Sequence, residues 1–494
     1  MARWTRRGML LGTGAVVGGL ATRALSPQNP SMAGIAPVVP MEGERVMNDA
    51  SGMSETPVFS HTNLTQTSQD AQVAELRSML QQAAAAGRAV NIGAARHSMG
   101  GQAIPRDGQA ITLLGGEVAA DSADQTYRVQ AGVRWATVIA RLDAIGFSPK
   151  VMQSNNDFGV AATFSVNAHG WPVPHGPMGS TVRSVDMLLP DGTALTASRS
   201  ENADLFGAAM GGYGLIGLIT ALVVEMVPNQ RLTPAFAELP AADFAPAFMA
   251  AVADPAVPMA YGRLNVDRAR FFQDVLLVTY RPAADQTDLP PAAGSGFVSK
   301  VSRQIFRAQL GNERAKRLRW GGETHIGPAI AGDATRNSLL NEPVITLDDR
   351  DPGRTDILHE YFVAPEAFPS FLQACAEVIP ESYQELLNVT LRHVAADPDA
   401  MLAYAPMPRI AAVMLFSQEM TARGEADMVR MTRGLIDRVL AIGGSYYLPY
   451  RPHATQEQFL RAYPQAAAFA ALKRRLDPGL VLRNALWDRH LEKL

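Results

Sequence analysis

An α+β fold of more than one domain is the class this sequence predicts, on three observations. The chain has 494 residues, against about 100–200 for one ordinary domain. Between residues 58 and 230 short β-like runs alternate with amphipathic helical stretches, and after Pro228 the texture changes. Hydrophobic residues make up 47% and charged residues 18%, which is enough for large packed cores and excludes global disorder.

The N-terminus reads as an address rather than as fold. Arg6 and Arg7 are followed directly by small and apolar residues over 8–20, a run too short for the roughly 20 residues of a membrane span. A charged start, an apolar middle and small residues near Ala24 and Ala33 match a secretory signal, and the arginine pair matches the twin-arginine variety. We therefore expect a twin-arginine signal peptide over 1–33 and a disordered lead-in over 34–57, rich in Pro, Met, Gly and Ser. The protein would be periplasmic or secreted, with no stable membrane span after signal removal.

Within 70–86, Ala74, Leu76, Leu80 and Ala83 recur at helical spacing. Residues 89–92, 111–114 and 127–131 read as strands, and 135–145 as a helix stopped by Gly146. Residues 181–189 and 217–227 read as further strands, the first closed by the turn Asp191-Gly192. Residues 231–440 mix strands such as 274–280 with helices, including a charged helical stretch over 303–319, and read as a second α+β domain. The tail, 441–494, is Pro- and Tyr-bearing and holds a helix at 467–476.

Charge and cysteine content narrow the function classes. The formal net charge is -3, which gives no basic surface for nucleic acid. Cys375 is the one cysteine, so an internal disulfide and a multi-cysteine zinc site are excluded, and no metal site is expected. Its helical, apolar surroundings make it a packing residue.

The stretch that carries chemistry is Asn91-Ile92-Gly93-Ala94-Ala95-Arg96-His97-Ser98-Met99-Gly100-Gly101-Gln102. A strand feeds a loop of small residues whose successive amides can turn toward one anionic group. No long helix begins inside it, so it is not the G-x-G-x-x-G dinucleotide fingerprint. On these grounds alone it is either a phosphate loop or an ordinary tight loop.

This loop resembles the pyrophosphate loop of the vanillyl-alcohol oxidase and para-cresol methylhydroxylase superfamily of FAD proteins. The resemblance continues through Val160-Ala161-Ala162-Thr163-Phe164-Ser165-Val166-Asn167-Ala168-His169-Gly170, His175-Gly176-Pro177 and Asp191-Gly192. It runs on through Asn202-Ala203-Asp204-Leu205-Phe206 and 211–220, and covers roughly 58–230. Tyr447-Leu448-Pro449-Tyr450, Phe469, Lys473 and Asp477-Pro478 are similar to the C-terminal signature of cytokinin-dehydrogenase-like members.

The resemblance implies a two-domain flavoprotein. Its FAD-binding domain would be split between 58–230 and the segment 441–494, with the substrate domain at 231–440 between them. Gly93, Ala94, Ala95, Arg96, Ser98 and Gln102 would line the pyrophosphate, and His97 would attach covalently to the 8α-methyl group of FAD. Ala161, Ala162 and Thr163 would reach the other side of the pyrophosphate; relatives usually carry glycines at the first two of these positions. Asn167 and Gly170 fall in the same segment. His169 would pack beside the isoalloxazine ring or offer a second attachment point. Gly214 would turn under the adenine half, Ile219 would meet the adenine edge, and Asn484 would reach the flavin from the tail.

Oxidation of a C–OH or C–NH group needs hydride delivery to flavin N5 and usually a base. Asp157 precedes the small-residue segment, though not at the spacing of the cytokinin dehydrogenases, and serves equally as a loop-capping carboxylate. Tyr450 and His453 lie on the segment expected to re-enter near the flavin. Arg392 shares one face of a β-run with Asn388 and Thr390, a face that lines a cavity or meets solvent. The expected activity is that of an FAD-dependent oxidase or dehydrogenase acting on a small alcohol, polyol or amine, with oxygen or a redox partner taking the electrons. Two alternatives stand: an oxidase of a lipid-linked sugar resembling the decaprenylphosphoryl-ribose oxidases, and an exported binding protein that keeps the fold without catalysis.

Overall fold

The computed structural model describes residues 45–294, 306–343 and 353–494. The expected signal peptide, the lead-in up to residue 44 and the start of the charged stretch at 303–305 lie outside them.

The first sheet follows directly from the 70–86 periodicity. Strand Ser60–Leu64 leads into helix Gln69–Ala85, which buries Leu76, Leu80 and Ala83 and returns the chain to strand Val90–Gly93. Strand Gln109–Leu113 lies between these two and pairs with both in parallel. A helical crossover of this kind lets neighbouring strands run parallel. The sheet ends at Gly93, which puts the glycine- and alanine-bearing loop at the carboxyl end of its strand.

An antiparallel sheet follows, in the order Ala194–Ala197, Val182–Leu188, Leu218–Pro228, Thr126–Gln130, Val118–Asp121, with Phe147–Pro149 pairing at the end of Leu218–Pro228. Helix Trp135–Asp143 lays Trp135, Val138, Ile139 and Leu142 into the core.

Across Asn229-Gln230 the chain enters an eight-stranded antiparallel sheet. Its order is Ala334–Thr335, Arg231–Pro240, Asp274–Pro282, Met259–Leu264, Glu385–Val394, Arg409–Glu419, Arg354–Val363, Ser445–Tyr446. One face is apolar: a Cβ on Gly262 would stand 2.6 Å from the Phe244 ring, and Gly262 pairs with Leu391. Side chains alternate across a strand, so Arg263, Thr390 and Arg392 belong to the other face.

Two expectations change here. The lead-in was expected to be disordered to residue 57, yet from residue 45 it is built into the fold. Val46–Met47 pairs with Thr56–Pro57, the Asp49 carboxylate accepts from the Gly101 amide at 2.8 Å, and Thr355 donates to the Ser51 carbonyl. A segment with its polar groups buried and bonded need not stay disordered, whatever its composition. The charged stretch also breaks. The helix runs over Glu313–Gly321, capped by Asn312 after Gly311 at φ 62°, and continues as a wider turn over Gly322–Ile326.

The tail returns to the first sheet. Val90 donates to the Val481 carbonyl and Arg483 donates to the Val90 carbonyl, so Leu482 bridges Val90 in parallel. Asp477 holds this bend by accepting from the amides of Val481 and Leu482 while it pairs with buried Lys473. The tail helix spans Ala466–Leu476.

Candidate functional site

The loop after Gly93 is held open from behind. Arg96 adopts φ 52°, and its guanidinium turns back into the protein, donating to Thr112 Oγ1 at 2.6 Å, the Ile111 carbonyl and the Ala103 carbonyl. Burial, reinforced by nearby Arg134, lowers its pKa to about 10. The missing side chain of Gly93 makes this possible, since a Cβ there would lie 2.7 Å from Arg96 Cζ. Gly93 therefore serves the arginine, and the Arg96 side chain is committed to protein acceptors. Among the described residues no protein acceptor meets the amides of Ala95, Arg96 and Ser98, as an anion cradle requires.

The second predicted segment meets the first. Helix Val160–Ser165 starts at Gly159, where a Cβ would lie 2.4 Å from Ala94 Cβ. The amides of Ala161 and Ala162, in its first turn, have no carbonyl one turn earlier in the helix to bond. Thr163 is spent inside, donating to the Val160 carbonyl and accepting from Trp135 Nε1. The small residues at 94, 95, 161 and 162 thus surround one point with backbone donors, which fits a pyrophosphate.

Several predicted contacts are structural ties instead. Gln102 donates to the carbonyls of Leu448 and Tyr450 and accepts from Gly100, joining the loop to the tail. Asn167, at φ 47°, donates to Asp397 and accepts from Gly179. Asn484 donates to the Tyr213 carbonyl and caps Leu486 and Trp487. Each of these amide side chains is satisfied by protein groups. Gly170 lets two backbones touch, its absent Cβ standing 1.9 Å from the Met152 carbonyl oxygen. Gly214 makes a turn at φ 70°, and Ile219 sits at a bulge in Leu218–Pro228. His97 stacks on Phe158 with ring centroids 4.3 Å apart.

His169 leads to the chemistry. It is buried, its Nε2 pairs closely with Glu360, and its Nδ1 is enclosed with no partner. Tyr450 donates to the other Glu360 oxygen at 3.2 Å. Burial, followed by the Glu360 charge, pushes the Tyr450 phenol well above its ordinary value, so it stays protonated and acts as a donor. Arg392 donates to the His169 carbonyl at 3.4 Å and to Ser154 Oγ at 2.9 Å, while its Nε is enclosed without a partner. His169 Nδ1 and Arg392 Nε are thus among the enclosed polar atoms that have no protein partner in the described residues.

Two candidate catalytic residues fall outside this cluster. His453 pairs with Glu425 at 2.9 Å and meets Thr432, next to the Arg451–Glu425 ion pair. It belongs to a packing network because the chain turns after Tyr450. Asp157 sits beside Arg134, whose guanidinium donates to its backbone carbonyl. Glu360 itself was missed. Its signal was a charged residue inside the apolar run Ile357-Leu358-His359-Glu360-Tyr361-Phe362-Val363, where an unpaired carboxylate would be costly.

A second polar group lies on the same sheet face. Arg263 pairs with Thr390, Thr390 with Val413 and Val413 with Glu360, forming one row across four strands. Arg263 donates to Thr390 Oγ1 at 3.0 Å and to Glu323 at 3.2 Å. Arg319 holds Glu323 from the other side at 2.9 Å and reaches Asn388 and the Leu387 carbonyl. Burial would raise the Glu323 carboxyl, but these two guanidiniums overcome it and bring the pKa to about 2.

Residues 70–198 match the family described as FAD binding domain. The chain is 34% identical over 155 residues to an alditol oxidase of a Streptomyces species, covering 30% of this chain and 36% of that one. It is 32% identical over 160 residues to cytokinin dehydrogenase 2 of Arabidopsis thaliana, covering 31% and 32%. To L-gulonolactone oxidase of Mus musculus it is 28% identical over 112 residues, covering 23% and 26%. The chain thus spans about a third or less of the length of each of these relatives. The matched segment includes the cradle loop and the helix that meets it, so residues 70–198 form an FAD-binding domain similar to those of these oxidases and dehydrogenases.

Proposed function

We propose that this protein is an FAD-dependent oxidoreductase that oxidises a CH–OH or CH–NH group of a small substrate. The observation that carries the reading is the enclosed His169–Glu360–Tyr450 cluster, with its unpaired His169 Nδ1, where the eight-stranded sheet meets the FAD-binding domain. The amides of Ala95, Arg96 and Ser98 and of 161–162 would hold the pyrophosphate, with His97 the point of covalent attachment to the flavin. Bound FAD supplies the two-electron acceptor for a hydride. Glu360 is the group suited to take the substrate's hydroxyl or amine proton, with His169 and Tyr450 orienting its two oxygens. Arg392 is suited to polarise the same substrate group. Oxygen or a redox partner would take the electrons, and residues 441–494 would complete the FAD-binding domain.

The visible spectrum before and after acid precipitation tests the cofactor. A yellow pellet that His97→Ala turns into a yellow supernatant supports covalent FAD; yellow in the wild-type supernatant refutes the attachment alone. Protein that stays colourless after reconstitution with FAD overturns the reading. The Arg6-Arg7 signal supports export by the twin-arginine route, and replacing both arginines by lysine should retain the protein in the cytoplasm.

A further inference from the structure

Helix Glu313–Gly321, with the turn Gly322–Ile326 and the short helix Gly327–Ile330 that continue it, is turned inside out. A surface helix ordinarily buries its apolar stripe and shows its charges to water. Here the charges face inward. Lys316 is buried and donates to Glu313 at 2.8 Å and to Glu385 at 3.2 Å. Arg319 reaches the Leu387 carbonyl at 2.7 Å and Asn388 at 3.1 Å, and Glu323 accepts from Arg263 at 3.2 Å. Glu385, Leu387, Asn388 and Arg263 stand on strands Glu385–Val394 and Met259–Leu264, so polar contacts fix the segment to the sheet.

The outer side is apolar. Leu318 is 58%, Ile326 61% and Ile330 43% exposed, and the first two are the most exposed large hydrophobic residues among those described. Their spacing stacks them along one side of the segment, over about 18 Å at about 1.5 Å per residue. A single exposed leucine would mean nothing. Three in line, on a segment whose polar groups are turned in, form a surface without a partner. Toward the start of this stripe the exposed charged residues are Arg314 and Arg317. Arg317 stays half-exposed while it pairs with Asp267 at 3.3 Å. The exposed acidic residues at the margins are engaged: Glu238 accepts from Trp320, and Asp333 accepts from Thr233.

We propose that this segment docks the protein on the surface of a bilayer that contains anionic lipids. Leu318, Ile326 and Ile330 enter the boundary between headgroups and acyl chains, and Arg314 and Arg317 meet headgroup phosphates. Buried apolar area and attraction of basic side chains to anionic lipid add in such contacts. A second copy of the chain fits less well. A two-fold dimer sets the patch against itself, and between residues 313 and 332 no acidic residue is exposed to meet the partner's arginines. The contact is peripheral and reversible, since the stripe is short and no helix among the described residues is long and apolar enough to cross a membrane. The proposal stands apart from the oxidation chemistry and concerns where the protein works.

Cosedimentation with vesicles tests it, on protein freed of residues 1–33, whose own basic and apolar run lies outside the described residues. Phosphatidylcholine vesicles with about one-quarter phosphatidylglycerol should pull the protein down, and binding should weaken as salt rises. The double variant Leu318→Ser/Ile326→Ser should lower the partition coefficient about tenfold or more. Arg314→Gln/Arg317→Gln should remove most of the preference over pure phosphatidylcholine vesicles. Met407→Ser, at a comparably exposed apolar residue elsewhere, should change nothing. Exposed substitutions of this kind alter stability little, and the melting temperature of each variant checks that the fold survives. Wild-type protein left in the supernatant, equal binding to both kinds of vesicle, or apolar variants that bind as the wild type does overturn the proposal. So does a dimer in sedimentation velocity that Leu318→Ser/Ile326→Ser splits while vesicles are ignored, which makes the stripe an interface between copies.

Discussion

The loop region around residues 90–102 and the sheet face around Glu360 build polar surfaces by opposite means. In the loop, the side chains able to bond, those of Arg96 and Gln102, are turned inward and spent on protein acceptors, which leaves backbone amides facing the cradle. On the sheet, the backbone is spent in ladders, and the polar groups of one face are the side chains of Arg263, Arg392 and Glu360. A site made of backbone accepts many sequences of small residues and suits a group that does not vary, as a cofactor's pyrophosphate would be. A site made of side chains changes with each substitution.

The largest effect that sharpens this contrast is expected at Glu360. Glu360→Gln keeps the shape and removes the proton acceptor, so turnover should fall by about 10²–10⁴-fold while the flavin spectrum is retained. Stopped-flow reduction of the bound flavin measures it directly. Unchanged reduction would move the base elsewhere and remove the main distinction between the two regions.

The loop should respond to substitution through stability and cofactor retention rather than turnover per flavin. Arg96→Met leaves Thr112 Oγ1 and two carbonyls without their buried donor and should cost about 2–3 kcal/mol of stability, read by chemical denaturation. Gly159→Val adds atoms where even a Cβ lies 2.4 Å from Ala94. The overpacking should cost about 1–3 kcal/mol, and FAD affinity of the attachment-free His97→Ala background should drop by a similar factor. If Gly159→Val instead left FAD binding intact and slowed turnover, the two segments would not form one cradle.

The same contrast explains what could be read in the sequence. The helix at 69–85, the strand before the loop and the cradle residues are local: periodicity and small residues at fixed spacing declare them within a dozen positions. Glu360, Arg392 and Arg263 lie far apart in sequence and meet only through the strand order of the eight-stranded sheet, with Glu323 brought to them by the turn Gly322–Ile326, none of which a local pattern encodes. Arg392 was visible as one polar residue of an alternating run, but Glu360 on the same sheet face was not, because only the strand order through Arg409–Glu419 brings the two strands together. Asn167, Gln102 and Asn484 were placed at the cofactor by family pattern. Their amide groups are tied to protein, which a motif cannot reveal. The ordered strap at 45–57 was hidden by its composition, since Asp49 and Ser51 are fixed by partners far along the chain.

The smallest effect concerns acid, and it separates the regions once more. His175, His359, His393 and His490 are held neutral chiefly by burial. Lys150 and Arg336 reinforce this at His175, His453 at His359 and Arg489 at His490. Their pKa values fall to about 4, 3, 4 and 4 respectively, against about 6.5 in an unfolded chain. Between pH about 6.5 and about 4 the unfolded chain therefore binds protons that the folded chain does not, so stability present above that window is lost as pH falls through it. None of the four lies on the cradle loop; they sit on the eight-stranded sheet, at its seam with the FAD-binding domain and in the tail. The melting temperature should drop by a few degrees per pH unit in this window, and His359→Gln should flatten the slope without altering FAD retention at pH 7. A slope unchanged by that substitution would assign the acid sensitivity to carboxylates such as Glu425, whose folded-state pKa is lowered by His453 and Arg451 despite burial and whose protonation costs stability only at lower pH.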